Sequence, residues 1–206
     1  MDEARSVREF WFGALPLSAA QLQQRMRFWF GAEPTPMRRE RDEAIRRRFG
    51  ELLERAGRGE LASWGDGPRR RLSLVILLDQ FPRNIYRGSA RAFAYDTQAL
   101  SLALSGMQSA ADAALDVVER IFFYMPLQHG ESIDVQEESV AAYRRLLREA
   151  PQELSDTFAE TLKFAELHAQ LIRRFGRFPH RNRVLRRDST AAEAAYMRHR
   201  ESFGQT

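Results

Sequence analysis

Apolar residues recur along this chain at helical spacing, and strand-like alternation bounded by turns is hard to find. Residues 6–12 predict a short helix stopped by Gly13. Ser18 is placed as the N-cap of a second helix ending at Gly31. Pro34 and Pro36 mark a loop. Residues 38–58 then carry Ile45, Phe49, Leu52, Leu53 and Ala56 on one face, a long amphipathic helix. Gly57, Gly59, Gly65 and Gly67 form a link, and Pro68 suits the first turn of the next helix. From Leu72 to Leu78 nearly every side chain is apolar, which predicts a helix buried on all sides. Asp79 ends that run, and Pro82 is expected to kink or restart the helix. Further helices are predicted over residues 94–104, 115–125 (stopped by Pro126), 131–149 and 153–175. Thr190 with Glu193 reads as a capping box for a last one. The expectation is an all-α chain, residues 1–206 as a single domain, with eight or nine helices in antiparallel pairs.

Two segments end alike, in Phe10-Trp11-Phe12-Gly13 and Phe28-Trp29-Phe30-Gly31. One short duplication does not make a repeat protein. It points to aromatic anchoring, with glycine letting the chain turn.

Composition narrows the possibilities. The 206 residues include no cysteine, which excludes disulfides, thiolate metal sites and a cysteine nucleophile. The most apolar stretch is far shorter than a membrane span, and the acidic first residues are not followed by an apolar signal core. A cytoplasmic protein is expected, with no membrane partner. The formal charge is +4, and Lys163 is the only lysine. Residues 173–187 hold seven arginines and no acid, whereas residues 116–160 hold ten acids against four arginines. Opposite blocks of this kind can pair within one fold. No zinc finger, aromatic RNA-binding signature or basic GXXG loop accompanies the arginines, so no nucleic-acid partner is expected.

Three polar clusters interrupt the apolar helices. Asp79-Gln80-Phe81-Pro82-Arg83-Asn84-Ile85-Tyr86-Arg87 leaves the most buried helix, where charges must be paired or must meet a ligand. Asp79 could instead bind Arg83 or nearby amides and fix a kink. Pro126-Leu127-Gln128-His129-Gly130-Glu131-Ser132 joins two helices. There His129 and Glu131 could form a base with its orienting acid, or Glu131 could simply cap the following helix. Arg173-Arg174-Phe175-Gly176-Arg177-Phe178-Pro179-His180-Arg181-Asn182 sets cationic side chains on a tight loop, suited to a carboxylate or phosphate or to the acidic block. His168 lies on the stripe Phe164, His168, Leu171, Phe175, the usual setting of a hydrogen-bonded core histidine. The spacing of His129, His168 and His180 is not diagnostic of a metal site, and no Gly-rich phosphate loop, nucleophile elbow or H-E-x-x-H is present. No metal or other cofactor is expected.

These three clusters, quoted as they stand, resemble a bacterial family of uncharacterised proteins, domain-of-unknown-function family 924. The early Trp-Phe-Gly segments and Ser189-Thr190 add to the resemblance, which covers nearly the whole chain. It implies an all-helical, tetratricopeptide-repeat-like superhelical arrangement without clear sequence repeats, and it implies no activity. The chain departs from the pattern at Gln128, where glutamate is frequent, at Gly130, where serine or alanine is expected, and at Arg186, where glycine is usual.

The leading functional expectation is a cleft that accepts a small anionic ligand or a peptide end. Asp79, Arg83, His129, Glu131, His168, Arg177, His180 and Arg181 are its candidate lining or support. A hydrolase using His129 or His180 with a carboxylate partner, with or without a metal, is the first rival. A scaffold whose polar motifs are purely structural is the second.

Overall fold

The structure is a computed structural model describing residues 2–31 and 35–198. Among these residues nine α-helices and no strands are found: α1 Glu3–Phe12, α2 Ala19–Phe30, α3 Thr35–Gly57, α4 Pro68–Ile85, α5 Asp96–Gln108, α6 Val117–His129, α7 Ile133–Glu149, α8 Ser155–Phe175 and α9 Ala191–Met197. Single 3-10 turns fill several connections, among them Ala90–Phe93 and Pro179–Arg181. Capping follows the side chains available. Ser18 with Gln21, Asp116 with Glu119 and Thr190 with Glu193 each close a reciprocal capping box.

Helix α4 is the axis of the molecule. Every residue from Leu72 to Ile85 is buried, and α1, α3, α5 and α6 all pack on it. Burying a side chain such as Leu77 contributes about 2 kcal/mol, which only a helix surrounded on all sides collects along its whole length. The later helices pack in chain order, α6 on α7 and α7 on α8, through short connections that suit antiparallel neighbours. Between α5 and α6 the approach is so close that a Cβ at Gly106 would lie 2.5 Å from Cζ of Phe123.

The duplicated aromatic segments meet each other. Phe10 packs on Phe28 with ring centroids 5.9 Å apart, and Trp11 stacks with Trp29 at 6.5 Å. Trp29 donates from Nε1 to the carbonyl of Trp11 at 2.9 Å, and Phe122 of α6 closes the cluster. Gly13 and Gly31 both adopt positive φ, which lets each chain turn directly after its aromatics.

Both internal prolines correct the expected helix ends. Pro82 does not restart the helix, because α4 runs through to Ile85. The side chains of Arg83 and Asn84 donate to the carbonyls of Asp79 and Gln80, at 2.6 and 2.8 Å, and hold the turn at the proline. Pro126 likewise lies inside α6, which continues to His129. Its C-terminal carbonyls are gathered by one buried amide: Gln136 Nε2 faces the oxygens of Leu127, Gln128 and Gly130 at 3.1, 2.8 and 2.7 Å. Pro36 falls within the first turn of α3 rather than in a loop, whereas Pro34 lies outside the described residues. Helix α7 starts at Ile133, so Glu131 is neither in that helix nor its cap.

Candidate functional site

A cleft of about 1090 Å³ opens between the end of α2, the start of α3, the last turns of α4 and α6, and the inner face of α8. Its closed end is polar. Arg83 comes from α4, His129 from the last turn of α6, His168 from α8, and His180 with Arg181 from the turn Pro179–Arg181. Thus residues from all three polar clusters line one hollow. A shallower depression between α7 and α8 is crossed by the exposed ion pairs Arg144–Glu166 and Arg173–Glu137.

Asp79 stands behind this end, fully buried. Its Oδ1 lies 2.7 Å from Nδ1 of His129 and 3.4 Å from Nη1 of Arg83, while Oδ2 accepts from the amide of Gln80 at 2.5 Å. Burial pushes the aspartate pKa up, but Arg83, His129 and Gln80 outweigh it and hold the group at about 2. An ionised Asp79 fixes the proton of His129 on Nδ1 and directs Nε2 away from itself. Nε2 makes no hydrogen bond to a described residue.

Asp96, at the first residue of α5, ties the two arginines together. Arg83 grips it bidentately at 2.8 and 2.9 Å, and Arg181 Nη1 reaches the same carboxylate at 3.3 Å. The guanidinium of Arg181 lies between the rings of Phe93 and Phe178, 4.6 Å from each centroid. It is only 6% exposed, and its Nε finds no hydrogen-bond partner among the described residues. Burial and the neighbouring Arg83 lower its pKa to about 10.

The imidazoles respond in the same direction. Burial, then the charge of Arg83, lowers the pKa of His129, with Asp79 opposing. Burial lowers His168 to about 4, although its Nδ1 lies 2.7 Å from the carbonyl of Phe164. Burial followed by Arg181 lowers His180 to about 3. All three rings are therefore neutral at pH 7. Among the described residues, no three His, Asp or Glu side chains are grouped to hold a metal ion.

Besides Asp79, two more expected residues do not line the cleft. Arg177 turns to Glu193 of α9, which it meets bidentately at 2.7 and 2.9 Å. Glu131 accepts from the amide of Phe178 at 2.8 Å and from Arg187 at 2.6 and 3.0 Å, so it pins the loop that carries His180 and Arg181. The acidic and basic blocks pair in places, as in Arg187–Glu131 and Arg173–Glu137, while Arg177 and Arg181 find acids outside that block. Asp96, Gln136 and Glu193 were not legible as functional or bracing residues. An acid in a helix's first turn, a glutamine on a helix and a capping glutamate all have ordinary local roles.

The departures from the family pattern have simple consequences. Gln128 is buried and lines the cleft, so a neutral amide fills that position. Arg186 has φ 54°, so the tight turn survives there with a side chain in the left-handed region.

Residues 7–201 match the family described as bacterial protein of unknown function, DUF924. The chain belongs to this family. A solved structure of a protein of unknown function from Agrobacterium tumefaciens is similar to it, with 31% identity and a TM-score of 0.78 over 96% of this chain and 97% of that one. No curated protein matches the sequence. Both are described as of unknown function, so any function must be argued from the side chains themselves. Among the described residues, no helix is long and apolar enough to cross a membrane.

Proposed function

We propose that the cleft binds a small anion at its closed end, with Arg83 and Arg181 as the cationic contacts and His129, His168 and His180 as neutral hydrogen-bonding neighbours. One observation carries this reading: among the described residues the buried guanidinium of Arg181, which lines the cleft, meets a single carboxylate and shares it with Arg83. A guanidinium held by one shared carboxylate keeps donor capacity that a carboxylate or phosphate oxygen can accept from. Burial is the first cause that lowers the pKa of Arg181 and the three histidines, and Arg83 adds to it at all four, so these side chains are desolvated groups close to a cation. Asp79 and Glu131 act from outside the cleft, the first by orienting His129 and Arg83, the second by pinning the 178–181 loop.

The test is thermal unfolding with a panel of small carboxylates and inorganic phosphate, comparing the parent with Arg181→Met. Methionine keeps the apolar body between Phe93 and Phe178 and removes the charge. A ligand at 100 times its Kd adds about 2.7 kcal/mol to the parent. The variant folds but shows no such shift. An equal shift in both proteins would end this reading.

The geometry of Asp79 and His129 favours a second reading, a hydrolase in which His129 is the general base. A carboxylate 2.7 Å from Nδ1, with Nε2 left to the cleft, is the arrangement that lets an imidazole take a proton from water. Charged neighbours of His180 are Arg181 and Arg83, so it is the weaker candidate for that role. Ester hydrolysis that survives His129→Gln unchanged would exclude this version.

A further inference from the structure

The cleft is not polar throughout. Away from Arg83 and Arg181 its wall includes Met26, Trp29 and Phe30 of α2, Ile121 and Met125 of α6, and Phe164 of α8, with Arg27, Arg38, Arg41, Arg87 and Glu160 along the same cleft. Phe30 is 50% exposed and Phe164 is 48% exposed, among the few large apolar side chains left so open. Both belong to the cleft, so the exposure is concentrated there rather than scattered. The apolar wall and the polar end are continuous along one helix. Ile121, Met125 and His129 share a face of α6, and at 1.5 Å per residue the path from Ile121 to His129 is about 12 Å long.

Charge limits the head group. Asp79 and Asp96 balance Arg83 and Arg181, and the three imidazoles are neutral, so the closed end carries no surplus full charge. It offers hydrogen-bond donors and a favourable field to one negative charge. A dianion would bring an uncompensated second charge into a buried place.

We propose that the natural ligand is an amphipathic monoanion, a carboxylate bearing an unbranched or aromatic apolar tail, with its head at Arg83 and Arg181 and its tail along the wall from Met125 to Phe30 and Phe164. The proposal rests on the anion-binding reading above and names the ligand class for the same site. The face of α6 from His129 back to Ile121, about 12 Å long, matches a chain of about nine carbons at ordinary C–C bond lengths. Each methylene buried against this wall tightens binding by up to about fourfold.

The experiment is calorimetric titration of the full chain with acetate, hexanoate, octanoate, octanol and inorganic phosphate, together with Phe164→Ser. The substituted residue is half exposed on the outer part of the cleft, so the variant keeps its fold. Trp29 lines the cleft, and its fluorescence provides an independent readout. Octanoate is expected to bind at least 100-fold more tightly than acetate, and octanol far more weakly than octanoate. Phe164→Ser should weaken octanoate about tenfold and leave acetate unchanged. If acetate or phosphate binds as tightly as octanoate, the amphipathic class is wrong while anion binding stands. If octanol matches octanoate, or no anion binds, the anion reading falls as well. If the parent sediments as a dimer that Phe164→Ser dissociates, a second copy of the chain covers the apolar wall, and the ligand proposal is overturned.

Discussion

Nδ1 of His129 lies 2.7 Å from Oδ1 of Asp79, across fifty residues of sequence and in a place where the aspartate has no exposed surface. The contact joins the end of α6 to the buried middle of α4, and the same carboxylate faces Arg83 one helical turn away. A fully buried charge persists only with such partners, so this pair is a point of stability and of electrostatics at once.

Asp79→Asn keeps the shape and removes the charge. It leaves Arg83 and Arg181 with Asp96 as the acid they share, and it should lower stability by about 3 kcal/mol at pH 7. Urea denaturation of parent and variant reads the difference. The sign with pH is fixed by the depressed pKa of about 2, against an ordinary 3.8. The stabilisation is complete above the ordinary value and is lost as pH falls through about 2, so the two proteins should converge in acid. A constant gap down to pH 2 would contradict this.

Acid should destabilise the protein well before Asp79 titrates. His168 and His180 have folded pKa values lowered to about 4 and 3, first by burial. The unfolded chain takes up their protons near pH 6.5, while the folded chain resists until pH 4 or 3. Stability therefore falls as pH drops through that window, by about 1 kcal/mol per histidine per pH unit. His168→Gln should roughly halve the slope between pH 6 and pH 4 that these two histidines produce. An unchanged slope would show that His168 is not buried in its neutral form.

Arg186 occupies the left-handed region at φ 54°. Replacing it with glycine removes about 1 kcal/mol of steric strain, and the backbone bonds from Arg186 to Arg183 and from Arg187 to Asn182 remain available. The melting temperature should rise by about 2–4 °C for a chain of this size. A fall would mean that the arginine side chain itself stabilises the loop.

Gln128→Glu restores the residue frequent in the family resemblance and places a carboxylate beside the arginine pair. The new charge would compete with any anionic ligand, so binding of a small carboxylate should weaken at least tenfold. The same charge should raise the pKa of His129. Calorimetry and a pH titration of the His129 ring signal check both effects, and unaltered affinity would separate Gln128 from the site.

Much of this architecture was written in local pattern. The all-round apolar run from Leu72 to Leu78 identified the central helix, and Ser18, Pro68 and Thr190 marked three helix starts. The twin Phe-Trp-Phe-Gly segments announced aromatic anchoring, and they anchor on each other. Pro82 and Pro126 misled because a proline forbids one hydrogen bond, while burial and side-chain donors from Arg83, Asn84 and Gln136 support the turns around it.

By itself the sequence determined the helices, their apolar faces and the polar stretches that break them, since each depends on neighbours within a few positions. Only the tertiary structure decided which polar groups share a space. It brought Asp79 to His129 and Arg181 to Asp96, 85 residues away in the chain, and it sent Arg177 to Glu193. An arginine written next to a histidine carries no record of which carboxylate it will meet. That choice follows from how α4, α5, α6 and α8 pack, and packing is set by the fit of apolar faces far from the charges it brings together.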